Sequence, residues 1–286
     1  MKIQTAIKRR TIRHVAALTF AAMGAMFYVT DALSATDEQI RSAAWMWVGA
    51  TNSKSSLANA EVKSIMQSSA SLHALVDGIV KKPDLLPALT AFADAMQQLK
   101  EDSIALRSGQ KVTPPTAHAT FPKHRYMEAL GNKTYERRAE ILALLLRTSS
   151  PEQCARVAEG LLPNKQRQDP TNDFMVIAAF DHVDLPKERG EYIAMTINTI
   201  LTDESKLATE NDNSGPSQSA VLNAFYRSSE LLTPQETLAR KTLDEHSPEG
   251  MCQLAKSTYR VALQMNKDEV YMGANLREAL LYTLAH

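Results

Sequence analysis

The sequence of 286 residues predicts an all-α fold, a multi-helix bundle or stacked helical hairpins with roughly ten to twelve helices. Glycine is sparse, with 10 residues, whereas alanine, leucine, glutamate and lysine, which lose little side-chain freedom in a helix, are common. Apolar residues recur at spacings of three and four along most of the chain. No run alternates apolar and polar residues long enough to indicate a strand.

Residues 1–35 have the layout of a secretory signal peptide. Five basic residues precede an uncharged apolar segment over 15–29, and small residues follow at Ser34 and Ala35. A membrane anchor is the alternative interpretation, but this segment is shorter than the roughly 20 residues that a spanning helix needs. We therefore expect cleavage after Ser34 or Ala35, by either the general or the twin-arginine route, and a periplasmic or secreted protein of a Gram-negative bacterium.

Loss of residues 1–35 would leave a mildly acidic mature chain. The whole chain has 32 Lys+Arg and 32 Asp+Glu, and the segment holds five of the basic residues and one acid. The mature chain thus keeps 27 basic and 31 acidic residues, a net charge of about −4. This balance argues against binding to nucleic acid or to anionic lipid.

Residues 36–107 are expected to form an N-terminal helical hairpin region. Thr36 and Gln39 have the spacing of a capping box, which predicts a helix start at the proposed mature N-terminus. Amphipathic helices are predicted over 58–82 and 83–109. Because only a short polar connection separates these two helices, we expect them to pair in antiparallel fashion.

Residues 108–124 contain three prolines and little periodicity, which predicts a loop or interdomain linker before a C-terminal helical domain over 125–286. Further helices are predicted over 124–131, 133–148, 151–162, 171–183, 187–202, 217–231, 234–245, 248–265 and 267–284. Several methionines fall at apolar positions of these helices and are expected to fill the core: Met175, Met195, Met251, Met265 and Met272.

The two cysteines each follow a Ser-Pro-Glu tripeptide, at 150–152 and 247–249. Serine as N-cap and proline at the first helical position account for both tripeptides as helix starts, although an internal repeat would also produce them. Cys154 and Cys252 would then lie in the first turns of two helices. In an exported protein the two cysteines are expected to form a disulfide, and two separate thiols are the alternative.

The sequence has no nucleotide-binding, metal-binding or nucleophile motif, so we predict no cofactor and no metal. His118 and His124 flank the proline-rich segment, but two loop histidines are weak evidence for a metal site. Asp181, His182 and Glu191 are the candidates for acid–base catalysis.

Two functional classes remain open. The first is a periplasmic protein-binding protein, such as an inhibitor or immunity protein or an accessory subunit of an envelope machine, and its partner would be another protein. The second is a helical envelope enzyme that acts on cell wall or lipid. The absence of a catalytic motif favours the protein-binding class, and we expect no stable membrane insertion after signal cleavage.

Overall fold

The computed structural model of the protein describes residues 35–50, 59–109, 123–124, 132–161, 173–198, 200–201, 216–244 and 247–285. The predicted all-α class is confirmed: 81% of these described residues are helical, and they form 12 α-helices with very little strand. The helices are α1 (Asp37–Ala50), α2 (Asn59–Ser68), α3 (Ala70–Val80), α4 (Leu86–Arg107), α5 (Asn132–Thr148), α6 (Pro151–Leu161), α7 (Asp173–Ala179), α8 (Pro186–Asn198), α9 (Gln218–Glu230), α10 (Pro234–Thr242), α11 (Pro248–Gln264) and α12 (Leu276–Ala285).

Reciprocal side-chain caps begin α1, where the sequence predicts a capping box, and α6, where it predicts Ser150 as the N-cap. At α1 the Gln39 backbone N–H donates to the Thr36 hydroxyl at 3.3 Å, and the Thr36 backbone N–H donates to Gln39 Oε1 at 2.8 Å. Ser150 and Gln153 form the same pair at α6, with both distances 3.3 Å. Each pair satisfies two backbone donors that the helix itself leaves without a partner.

The predicted helix over 58–82 is two helices, because Ser69 interrupts it. Ser69 has an extended backbone (φ −77°, ψ 112°), and its hydroxyl accepts a hydrogen bond from the Leu72 N–H at 3.1 Å. A serine in this conformation is an N-cap, so α2 ends at Ser68 and α3 begins at Ala70. The apolar spacing continues through the break, which is why periodicity alone did not locate it.

The first helix packs against both α3 and α4. Trp45 on α1 meets His73 on α3 edge-to-face, with ring centroids 4.8 Å apart. One cluster of contacting buried side chains extends from Ile40 on α1 to Leu284 on α12. Most of the segment 108–124 lies outside the described residues, so the linker and the domain division remain predictions.

Helix α11 organises the C-terminal part of the protein. It packs along α5 and α6 and also contacts α9, α10 and α12. Ala255 and Ala262 on α11 are fully buried, and such small side chains let neighbouring helices approach closely. Tyr259 lies buried between them along the helix, and its hydroxyl donates to the Leu284 carbonyl oxygen on α12 at 3.4 Å.

The helix predicted over 267–284 is wrong in its first half, which is a β-hairpin. Strand β3 (Val270–Tyr271) pairs with β4 (Ala274–Asn275) in antiparallel fashion, and α12 begins only at Leu276. The two-residue turn has positive φ at both positions, 50° at Met272 and 80° at Gly273, as in a type I′ turn. Strands of two residues are too short to leave an alternating pattern in the sequence.

Two further short strands differ from the predicted helices. β1 (Lys123–His124) pairs with β2 (Ile200–Leu201), so the helix predicted over 187–202 ends earlier, at Asn198. The helix predicted over 124–131 begins in strand β1, and the rest of it lies outside the described residues.

Candidate interaction surface

The two cysteines form a disulfide that joins the first turns of α6 and α11. Cys154 and Cys252 are both buried, with Cα atoms 5.3 Å apart, and the chain has no free cysteine. Ser247 caps α11 by accepting a hydrogen bond from the Gly250 N–H at 3.0 Å. The predicted pairing and the predicted capping role of each tripeptide are therefore confirmed. The bridge is a structural element rather than a reactive thiol pair.

Asp181, a candidate for acid–base catalysis, instead holds the start of α3. It lies in a short 3₁₀ helix, Phe180–His182, that follows α7. One carboxylate oxygen accepts from the Ser71 backbone N–H at 2.9 Å and from its hydroxyl at 2.6 Å, and the other accepts from the Ser69 hydroxyl at 2.5 Å. A negative charge at a helix N-terminus is favourable, so this contact accounts for Asp181 without catalysis. His182, next in the chain, is exposed.

Glu191 belongs to a different network, on α8. Its carboxylate accepts a hydrogen bond from Arg137 Nε on α5 at 2.7 Å, and Lys187 lies 3.9 Å away. The hydrogen bond from Arg137 lowers the pKa of Glu191 below its ordinary value, and the charges of Arg137 and Lys187 act in the same direction. A carboxylate held ionised in this way is a poor general acid near neutral pH. Among the described residues, no hydrogen bond joins Asp181, His182 and Glu191.

In the part of the chain that the structure describes, no group of three His, Cys, Asp or Glu side chains could hold a metal ion. His118 and the side chain of His124 lie outside that part, so the structure does not describe this pair. None of the described helices is long and apolar enough to cross a membrane.

An exposed apolar surface lies on α9 and on the tip of the β3–β4 hairpin. Met272 at the hairpin tip is 78% exposed, and Tyr226 and Leu222 on α9 are 65% and 62% exposed. We call this surface the hairpin patch and define it by its exposed large apolar residues: Leu222, Phe225, Tyr226, Val270, Tyr271 and Met272. Exposed apolar residues that group in this way on a folded protein often mark an interaction site.

Helix α9 has the reverse of the usual amphipathic arrangement. Its fully buried residues are Ala220 and Ala224, whereas Leu222, Phe225 and Tyr226 are exposed. A helix that packs only against the core of its own protein buries its large apolar side chains. The small alanines instead bring α9 close to α12, against which it packs, and the large side chains face outward.

Two polar contacts fix the hairpin beside α9. Ser219 Oγ donates to Met272 Sδ at 3.9 Å, and Arg227 Nε donates to Glu269 Oε1 at 2.6 Å. The hydrogen bond from Arg227 to Glu269 raises the pKa of Arg227 above its ordinary value, and the nearby charge of Glu230 adds to this. Ser219, Leu222 and Tyr226 follow at spacings of three and four residues, so they share one face of the helix. The exposed face of α9 and the hairpin therefore lie next to each other.

A second group of exposed apolar residues lies on the C-terminal half of α4. Leu89 and Phe92 in its first half are buried, whereas Leu99 and Leu106, which continue the same stripe, are 49% and 61% exposed. This group comes from a single helix. It therefore provides a matched comparison surface for the hairpin patch.

Sequence patterns did not indicate the hairpin patch. Leu222, Phe225 and Tyr226 have helical spacing, which predicts a core-facing stripe. Met272 was expected to fill the core and is exposed, so that prediction is wrong, whereas Met265 is buried as predicted. The one local signal was Gly273, because a glycine inside an apolar helical pattern often marks a turn.

No family model, curated protein or solved structure matches this chain.

Proposed function

We propose that the protein is an exported, helical protein-binding protein that docks another protein through the hairpin patch. The reversed arrangement of α9, with alanines buried and Leu222, Phe225 and Tyr226 exposed, carries this proposal. Aromatic residues and methionine are enriched in protein interfaces, and the patch contains Phe225, Tyr226, Tyr271 and Met272. An inhibitor or immunity protein, or an accessory subunit of an envelope machine, would use such a surface.

The disulfide supports the periplasmic or secreted location in this proposal. Disulfides persist in oxidising compartments and are rare where thiols are kept reduced. The bridge between Cys154 and Cys252 is therefore in keeping with the signal-peptide layout of residues 1–35, which lie outside the described residues. The mildly acidic mature chain supports a protein partner rather than nucleic acid or an anionic membrane.

The alternative of a helical envelope enzyme has less support. Asp181 is engaged with the start of α3, and Glu191 is paired with Arg137. An acid–base pair acts on one substrate from neighbouring positions, whereas these two carboxylates hold different helices in place.

Capture of the partner from the source envelope tests the proposal. The protein is produced with its residues 1–35, purified after export and immobilised, and an envelope extract is passed over it. The variant Leu222→Ser/Tyr226→Ser removes the two most exposed apolar side chains that α9 contributes to the hairpin patch. Leu106→Ser is the control for the change at Leu222, because Leu106 is 61% and Leu222 is 62% exposed, and both are helical leucines.

We expect the unaltered protein and Leu106→Ser to retain the same partner and the patch variant to lose it. Truncation of interface hot-spot residues costs about 2 kcal/mol or more, so if the two exposed side chains of α9 are hot spots the Kd of the purified pair should rise by at least about 30-fold. Circular dichroism confirms that each variant is folded. Equal retention by all three proteins would contradict docking through the patch.

A further inference from the structure

Met272 occupies a backbone conformation that methionine rarely adopts. Its φ is 50°, in the left-handed region, at the first turn position of the β3–β4 hairpin. Type I′ turns favour asparagine, aspartate or glycine there, because these residues tolerate positive φ at low cost. Residues held in such sparsely populated conformations cluster at functional sites. The hairpin tip thus carries a thioether, and the Met272 side chain is 78% exposed to solvent.

The other methionines that the structure describes are better covered. Met265 is buried, and the rest are partly buried against the core: Met46, Met66, Met96, Met175, Met195 and Met251. Oxidation of methionine follows solvent access to its sulfur. Both cysteines are in the disulfide, so no thiol in the chain competes for an oxidant.

Ser219 lies where it can hold an oxidised Met272. Its hydroxyl donates to Met272 Sδ at 3.9 Å. A thioether sulfur is a weak acceptor, whereas the oxygen of a sulfoxide is a strong one. After oxidation, the Ser219 hydroxyl would therefore have a stronger acceptor in the oxygen bonded to the sulfur that it already contacts.

We propose that Met272 is an oxidation site: hydrogen peroxide converts its thioether to a sulfoxide, and Ser219 then holds the sulfoxide by a hydrogen bond. The sulfur lone pair attacks one peroxide oxygen, the O–O bond breaks, and the second oxygen leaves as water after proton transfer. The sulfur loses two electrons and the peroxide gains them. A dithiol reductase reverses the step: the dithiol becomes a disulfide, and the sulfoxide oxygen leaves as water.

Oxidation makes the tip of the hairpin patch polar. A sulfoxide replaces the most exposed apolar side chain of that surface with a hydrogen-bonding group. If the patch docks a partner, as proposed above, this change weakens docking under oxidative conditions. That consequence rests on the proposed function, whereas the oxidation site and the Ser219 contact do not.

Peptide mapping after brief treatment with hydrogen peroxide tests the site. We expect a gain of one oxygen atom at Met272 at least about 10-fold faster than at Met265, in line with their exposure. The treated protein should elute earlier from a hydrophobic-interaction column, and the variant Met272→Leu should show no such shift. Equal rates at the two methionines, or the same elution shift in Met272→Leu, would overturn the oxidation site.

A comparison with Ser219→Ala tests the hydrogen bond. For each protein, the Tm before oxidation of Met272 is subtracted from the Tm after it. This difference should be about 1–4 °C more positive in the unaltered protein than in Ser219→Ala. Identical changes would refute the role of Ser219. Loss of partner capture would leave both results intact, so failure of the proposed function is distinguishable from failure of this inference.

Discussion

Removal of the disulfide should destabilise the protein strongly. The double variant Cys154→Ala/Cys252→Ala deletes a bridge that spans 98 residues of sequence and joins the starts of α6 and α11. Without the bridge, this long segment has more conformational entropy in the unfolded chain, whereas the folded chain gains almost none. The variant is therefore expected to lose stability without losing its helices under native conditions.

The loop-closure relation gives an upper bound for this effect. A closed loop of 98 residues corresponds to about 4.7 kcal/mol at 25 °C. Strain in the folded state and residual contacts in the unfolded state reduce the measured value, and α6 and α11 pack on each other along their length. We therefore expect a loss of about 3–4 kcal/mol, which lowers Tm by roughly 6–16 °C for a chain of this size.

Thermal unfolding followed by circular dichroism, with and without a reductant, is the assay. The reductant distinguishes the effect of the bridge on Tm from the effect of lost side-chain volume, because reduced cysteines keep their sulfur atoms. Reductant should lower the Tm of the unaltered protein and leave that of the double variant unchanged. Thiol titration of denatured, unreduced protein should find no free thiol. A reduced protein that melts within about 2 °C of the oxidised one would refute the entropic reasoning.

Three further predictions concern the cap on α3, an ion pair and the mature N-terminus. Asp181→Asn should lower the free energy of unfolding by about 1–2 kcal/mol in urea titrations, because it weakens the capping of α3, and an unchanged urea midpoint would contradict this role. Hydrogen bonds from Arg260 lower the pKa of Glu236 to about 2, so this carboxylate stabilises the fold fully above about pH 4.5 and loses its contribution as the pH falls towards 2. Glu236→Gln should therefore lower the free energy of unfolding by about 1–2 kcal/mol at pH 7 and by almost nothing near pH 2. The effect is limited because the ion pair between Glu236 and Arg260 is partly exposed. An equal loss at both pH values would exclude an ionic origin. Mass spectrometry of protein from the source envelope should find a chain that starts at Ala35 or Thr36, and an intact Met1 in the membrane fraction would show that the segment is retained.

Helix starts could be predicted from the sequence because their determinants are local. Ser150 and Ser247 each precede proline, and each hydroxyl accepts the backbone N–H that the first turn leaves without a partner. Once those starts were placed, the cysteines had to lie in the first turns, and the expected compartment favoured their pairing. The pairing was thus predictable although the two residues are 98 positions apart.

Contacts between distant segments could not be predicted in this way. Asp181 resembles a catalytic group in sequence because its partners, Ser69 and Ser71, lie more than a hundred residues earlier. Ser69 itself falls within an unbroken apolar pattern, so its role as an N-cap was also hidden. The hairpin at Met272 was missed because a Met-Gly turn lacks the asparagine or aspartate that usually signals it.

Sequence periodicity does not show that the large side chains of α9 are exposed. This exposure is what distinguishes an interface from a core. Helical spacing shows which residues share a face, but not whether the protein or a partner covers that face.

The buried face of α9 consists of alanines. Burying a leucine or an aromatic side chain there instead would stabilise the folded chain by about 1.5–3 kcal/mol for each residue. This stabilisation is absent from the isolated chain, so Leu222→Ser should change its free energy of unfolding by no more than about 0.5 kcal/mol. The same substitution in a core leucine such as Leu146, which is fully buried, should cost several kcal/mol. A residue that is neutral for folding but required for partner capture belongs to an interface, whereas a large loss of stability in Leu222→Ser would assign it to the core and remove the basis for the hairpin patch.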